Sequence, residues 1–355
     1  MTLRFRGPVL PDGEVRDLYV VDGRVTLEPV AGAETAAEGW IVPGLVDAHC
    51  HIGLDEHGAV DEATIEQQAR DDRDAGALLL RDCGSPADTR WVQERDDLPR
   101  LIRCGRHLAR TRRYIRNYAH EVEPDDLPGW VAREAQAGDG WVKLVGDWIS
   151  REEGDLAPSF PAEAFAAAIA TAHEHGARVT AHCFGETVLP ELIEAGIDCI
   201  EHGTGLTTDL VETMAARGTA LVPTAVQLNN FPGYADAGRE RFPSYADHML
   251  ALYESRRETI MAAYDAGVPI FAGTDAGGVL PHGGIADEVA ELAAYGMPAE
   301  YALGAASWRA REWLGWNATL DEGAPADFVV YPRDPVADLS VLREPSAVVL
   351  RGRVV

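Results

Sequence analysis

Short apolar runs rich in Val, Ile and Leu recur along the chain, and most are separated by stretches with helical spacing. "WIVPGLVDAHCH" reads as a strand and is followed by a helical "DEATIEQQARDDRDAG". "ALLLRDCG" is a second strand, and "LPRLIRCGRHL" contains a third. "WVKLVG" follows the helical "LPGWVAREAQAG". "RVTAHC" follows the alanine-rich "PAEAFAAAIATAHEHG", whose glycine suits a helix C-cap. "DCIEHG", "TALVPTA" and "VPIFAGTDA" complete the series, each after its own helical stretch. Eight strands alternating with helices predict an α/β fold with parallel strands, a (β/α)8 TIM-like barrel over residues 43–317, with function at the strands' carboxyl ends. Residues 1–42 and 318–355 read instead as short strands and turns that meet in one small β-sandwich domain. The turn-rich stretch 227–248 reads as a long loop, a candidate lid.

The 355 residues suffice for a large domain and a smaller one, and 46% hydrophobic with 25% charged residues is ordinary for a globular protein. No apolar run reaches the roughly 18 residues of a membrane span, and the first residues lack a signal-peptide core, so a cytoplasmic location and no membrane partner are expected. Five scattered cysteines form no CxxC pair and read as reduced, buried thiols. A formal charge of −27 argues against nucleic acid as a partner. One run opposes that balance: "RCGRHLARTRRYIRN" (103–117), either a solvated face or a local anion site.

On a strand, residues i and i+2 share a face, so "HCH" sends His49 and His51 to one side. His182, His202 and Asp275 close three other strands, and in a barrel such ends ring one cavity, giving a donor set for a divalent metal. "HEH" at His173 and His175 has the same spacing but ends a helix, where i and i+2 diverge, so these two read as surface residues. Lys143 is the only lysine in the chain. It lies on the fourth strand, facing the same cavity, where metals favour a neutral amine able to add carbon dioxide as a carbamate. Arginine stays protonated and cannot do this.

With these landmarks, "VPGLVDAHCH", "LLLRDCG", "WVKL", "VTAHC", "IEHG", "GTDAGG" and "DEGAPADFVVYPRDP", the chain resembles the amidohydrolase superfamily, in its imidazolonepropionase-like and prolidase-like branch. The resemblance implies a binuclear metal site: His49, His51 and Asp275 around one ion, His182 and His202 around the other, and carboxylated Lys143 bridging. Zinc is the default, with manganese, iron and cobalt open. It implies a bridging hydroxide as nucleophile and Asp275 as proton shuttle, with Asp275, Lys143 and His202 as catalytic candidates. Glu201 or Asp47 would orient the imidazoles. Arg112, Arg113, Tyr114 and His120 after the third strand, with His282 after the eighth, are expected on the substrate side, favouring a small carboxylate-bearing molecule such as an N-acyl amino acid or dipeptide. A lactonase or phosphotriesterase-like hydrolase, a mononuclear deaminase and a non-catalytic binding or assembly module are the alternatives; exposed barrel helices leave a homo-oligomer open.

Overall fold

The structure, a computed structural model, describes residues 2–355. Its centre is a set of parallel strands: β1 (Leu45–Cys50), β2 (Ala77–Asp82), β3 (Arg100–Arg103), β4 (Trp141–Val145), β5 (Arg178–Cys183), β6 (Cys199–His202) and β7 (Ala220–Val222). β2 pairs with both β1 and β3, and β4 through β7 pair in sequence order. Asp139, just before β4, donates its backbone N–H to Arg103 at the end of β3 (2.8 Å). These strands are almost wholly buried, as strands covered on both faces must be. The arrangement is a TIM-barrel-like α/β fold.

Expectation and structure differ at three places. The first apolar run is two strands: Trp40–Pro43 pairs with Phe328–Tyr331, and β1 starts after Gly44. A Cβ at Gly44 would lie 2.7 Å from Leu78 Cδ1 and 2.8 Å from Arg311 Nη2, so a bare backbone is required at that junction. The eighth position, 268–276, holds isolated parallel bridges to β7 (Leu221–Ile270) and β1 (Cys50–Ala276) rather than a regular strand. Pro269 brings no N–H, Gly273 packs against His49, and Asp275 leaves extended geometry, so a continuous ladder cannot form.

The third difference is the 227–248 stretch, which is helical: Ala225–Leu228, Phe231–Gly238 and the first turns of Pro243–Asp265. Pro232 and Pro243 sit in the first turns of the last two helices, where a missing N–H costs nothing. Phe231, Ala235, Ala246 and Met249 are buried against the main core, and this segment roofs the carboxyl ends of the strands.

Strands from both termini share one eight-stranded sheet. Its core joins Phe5, Leu18 and Ile41 to Phe328 and Val349, with Phe5 and Phe328 edge to face at 4.9 Å. No helix among the described residues is long and apolar enough to cross a membrane.

Candidate metal centre

His49 lies on β1 and His51 one residue beyond it, and their Nε2 atoms are 3.3 Å apart. The far nitrogens set the tautomers. His49 Nδ1 meets the carboxylate of Glu201 at 2.7 Å, and His51 Nδ1 meets the carbonyl of Gly84 at 2.8 Å. Both partners accept, so each Nδ1 carries the proton, and in the neutral ring Nε2 presents a lone pair. Asp275 Oδ1 lies 3.1 Å from both Nε2 atoms. With the rings neutral, three acceptors face one another there, and imidazole with carboxylate is a donor set suited to a divalent metal.

A second pair stands beside the first. His182 Nδ1 and His202 Nε2 are 3.0 Å apart, and the rings of His49 and His202 are 5.3 Å apart. His202 Nδ1 is tied to Thr224 Oγ1 at 2.7 Å, while His182 Nε2 is buried without a partner. Burial, with Lys143 among the nearby charges, holds His182 well below the usual imidazole range and pushes His202 down to about 3. Both are therefore neutral near pH 7, the form that ligates metals.

Lys143 pairs in register with Thr180 on β5, is 1% exposed, and has no carboxylate within ion-pair distance among the described residues.

His202 ends β6 with a left-handed φ of 67°, and Thr224, two residues past β7, and Asp275, in the irregular eighth segment, have left-handed φ values of 49° and 59°. That geometry is rare for residues with a Cβ. It turns each side chain inward from the strand direction.

Behind the donors lies a buried charged layer. Glu201 grips His49 with one oxygen; its other oxygen takes Arg81 Nη2 at 2.7 Å and the hydroxyl of Thr180. Burial alone would raise the Glu201 carboxyl, but Arg81 and His49 hold it well below its ordinary range. Asp47 acts differently, accepting from the backbone N–H groups of His49 (3.1 Å) and Thr274 (3.0 Å), so it fixes the chain rather than an imidazole ring.

A cavity of about 470 Å³ opens over this cluster, with His182 and Asp275 in its wall. Tyr114, Trp148, Phe184, Tyr234, Phe242 and Tyr245 give it an aromatic lining, and among the described residues the exposed Arg241 is the one arginine or lysine in its wall. Of the expected substrate-side residues, Tyr114 alone lines it. Arg112 is exposed, and its backbone N–H binds Glu121. Arg113 is committed to the carbonyls of Trp148 and Ala157, at 2.9 and 2.8 Å. His120 stacks on Trp130 and faces Glu134, and His282 is held by Asp72 at 2.8 Å. Within the 103–117 run Arg103 is also held by Asp139, Arg106 by the Tyr118 carbonyl and Arg110 by Glu123.

The surface reading of the helix-end histidines agrees with exposed His173 on Asp198 and exposed His175 on its own helix. All five cysteines are free and buried. Sequence reasoning missed His107, which is fully buried and stacks on His51 at 5.0 Å, because it hides inside the arginine run. It also missed Arg81, although an arginine amid "LLLRDC" is itself a signal that a buried partner waits across the strands.

The profile of the amidohydrolase family matches residues 146–355. The chain belongs to the amidohydrolase family. It is a metal-dependent hydrolase acting on C–N bonds. An uncharacterized protein of Mycobacterium tuberculosis is 57% identical over 353 residues, 99% of this chain and 95% of its own length. Ochratoxinase of Aspergillus niger is 28% identical over 212 residues, 58% of this amidohydrolase and 43% of the ochratoxinase. Among solved structures, a Xaa-Pro dipeptidase with methionine bound in its active site superposes with a TM-score of 0.85 over the whole of both chains, at 21% identity. At that identity the likeness speaks to the fold.

Proposed function

We propose that this amidohydrolase cleaves the amide bond of a carboxylate-bearing small molecule, an N-acyl amino acid or dipeptide, at a binuclear metal site. The observation that carries the reading is one cavity whose wall joins metal-donor residues, an aromatic surface and a single cation. His49, His51 and Asp275 would hold one ion, and His182 and His202 the other, with Lys143 as a carbamate between them. Zinc is the first expectation. Bound there, divalent ions supply Lewis-acid polarisation of the carbonyl and a nucleophilic water at neutral pH.

The chain's own groups do the rest. Asp275, 16% exposed against 1% for His49, is the carboxylate that reaches the cavity, so it takes the proton of the attacking water and returns it to the leaving nitrogen. Glu201 fixes the His49 tautomer, and Thr224 orients His202. The aromatic wall excludes water and takes the substrate's apolar part. Arg241 has no ion-pair partner among the described residues and takes the carboxylate, since Arg112 and Arg113 do not line the cavity and Arg113 is engaged with the carbonyls of Trp148 and Ala157. The substrate of a relative such as ochratoxinase, as its name gives it, is one member of the class to be tried. Around this site we take a closed (β/α)8 barrel over 43–317 and a terminal β-sandwich domain over 1–42 and 318–355 in a cytoplasmic enzyme.

The test is hydrolysis of an N-acyl-phenylalanine against its carboxamide, in the parent and in Arg241→Met. The acid should be preferred, and the substitution should raise its KM about tenfold while leaving the carboxamide unchanged. Equal rates for acid and carboxamide in the parent would overturn the carboxylate assignment.

A further inference from the structure

We propose a second binding site, for a small organic anion with a flat apolar part, at the end of the strands opposite the metal donors. Arg100, Trp141 and Arg178 are the first residues of β3, β4 and β5. Together with Arg351 and Trp316 they line a cavity of about 360 Å³, within the size range of small-molecule sites. Its charges do not balance. The one carboxylate in the wall, Asp139, is taken by Arg103 Nη2 and Nε at 2.8 and 2.9 Å. Arg100 is paired with Asp327 at 2.7 Å, and Arg351 donates to the carbonyls of Asp96 and Leu98.

Arg178 is left over. Its guanidinium stacks 4.1 Å from the Trp141 ring centroid, donates to the Trp313 carbonyl at 3.0 Å, and has no carboxylate within ion-pair distance among the described residues. One further donor in the wall lacks an acceptor, the indole N–H of Trp141, itself 1% exposed, with the ion-paired Arg81 guanidinium stacked behind it at 4.6 Å. Unsatisfied donors with no spare acceptor define the ligand's charge, because buried polar groups are normally paired. A positive cavity in a protein of net charge −27 is also the place where anions concentrate. Trp316 and Leu314 supply apolar wall for a ring. Carboxylate and phosphate share this chemistry, since a guanidinium fork accepts either.

Tryptophan fluorescence of the full chain, titrated with benzoate, phenyl phosphate and inorganic phosphate, tests the assignment. At least one ring-bearing anion should saturate, more tightly than inorganic phosphate, and Arg178→Gln should weaken it about tenfold while Arg241→Met leaves it unchanged. Which of the two ring-bearing probes binds more tightly decides between carboxylate and phosphate. Absence of saturation up to about 10 mM, equal binding by Arg178→Gln, or loss in Arg241→Met alone would each overturn the site. Inorganic phosphate binding as tightly as phenyl phosphate would overturn the flat apolar part. Should Arg178→Gln fail to fold by circular dichroism, Arg178→Lys keeps the charge but removes the fork and should weaken binding in the same direction.

Discussion

Replacing Glu201 by glutamine keeps the shape of the side chain and removes one charge from a wholly buried pair. Arg81 and Glu201 are both 0% exposed and meet at 2.7 Å. Two unit charges about 4 Å apart attract by about 4 kcal/mol at the effective dielectric that best describes protein sites. Breaking a buried pair by removing one partner costs about 3–5 kcal/mol, because the other charge is stranded. In a chain of this size each kcal/mol shifts Tm by roughly 2 °C, so Glu201→Gln should melt roughly 6–10 °C below the parent in calorimetry. The double variant Arg81→Met/Glu201→Gln leaves no stranded charge and should recover most of that loss. Metal content separates the two jobs of Glu201. Glutamine can still accept from His49 but no longer carries the anion that favours its ligating tautomer, so metal affinity should fall about 10- to 100-fold in both the single and the double variant. A Glu201→Gln Tm within about 2 °C of the parent, or a double variant no more stable than the single, would refute the reasoning.

Other expectations concern the cavity and its roof. Asp275→Asn should lower kcat about 10²- to 10⁴-fold with a smaller effect on Tm, read by steady-state kinetics beside calorimetry; unchanged kcat would remove Asp275 from the proton path. Prolonged chelation should lower Tm, and zinc should restore it in the parent but not in His49→Ala, since an ion that binds only the folded state stabilises by mass action. His248 on the helix Pro243–Asp265 lies 2.9 Å from both Glu186 and Asp155, which raise it to about 9 against the opposing effect of burial. A folded value above the unfolded one means the stabilisation is complete below pH about 6.5 and is lost as pH rises through about 9. The parent's Tm should therefore fall between pH 7 and 10 more steeply than that of His248→Gln, and parallel curves would count against the contact.

The donor residues were legible because their chemistry is tied to periodicity. His49 and His51 could be placed together from the two-residue repeat of a strand, and His173 and His175 set aside because the same spacing on a helix diverges. Lys143 stood out by composition alone. Arg112 and Arg113 do not line the cavity, for the opposite reason: a loop has no period, and the Arg113 guanidinium binds the carbonyls that fold near it, those of Trp148 and Ala157. Residues 227–248 looked like a loop because glycine and proline were counted as breakers. Pro232 and Pro243 instead start helices, and the buried Phe231 and Met249 anchor them. The cavity wall combines Tyr114, Trp148, Phe184 and Tyr245 from four separate segments, a convergence that only tertiary packing creates.

The left-handed turns at His202, Thr224 and Asp275 have an evolutionary consequence. Because each of these residues takes a left-handed turn at or just past the point where its strand segment ends, its direction is set by the backbone below it and not by the segment that follows. The downstream segments are free to change length, sequence or helical content while these three side chains keep their aim. New substrates can thus be acquired by exchanging the roof over an unaltered reaction centre, which separates the inheritance of chemistry from the inheritance of specificity.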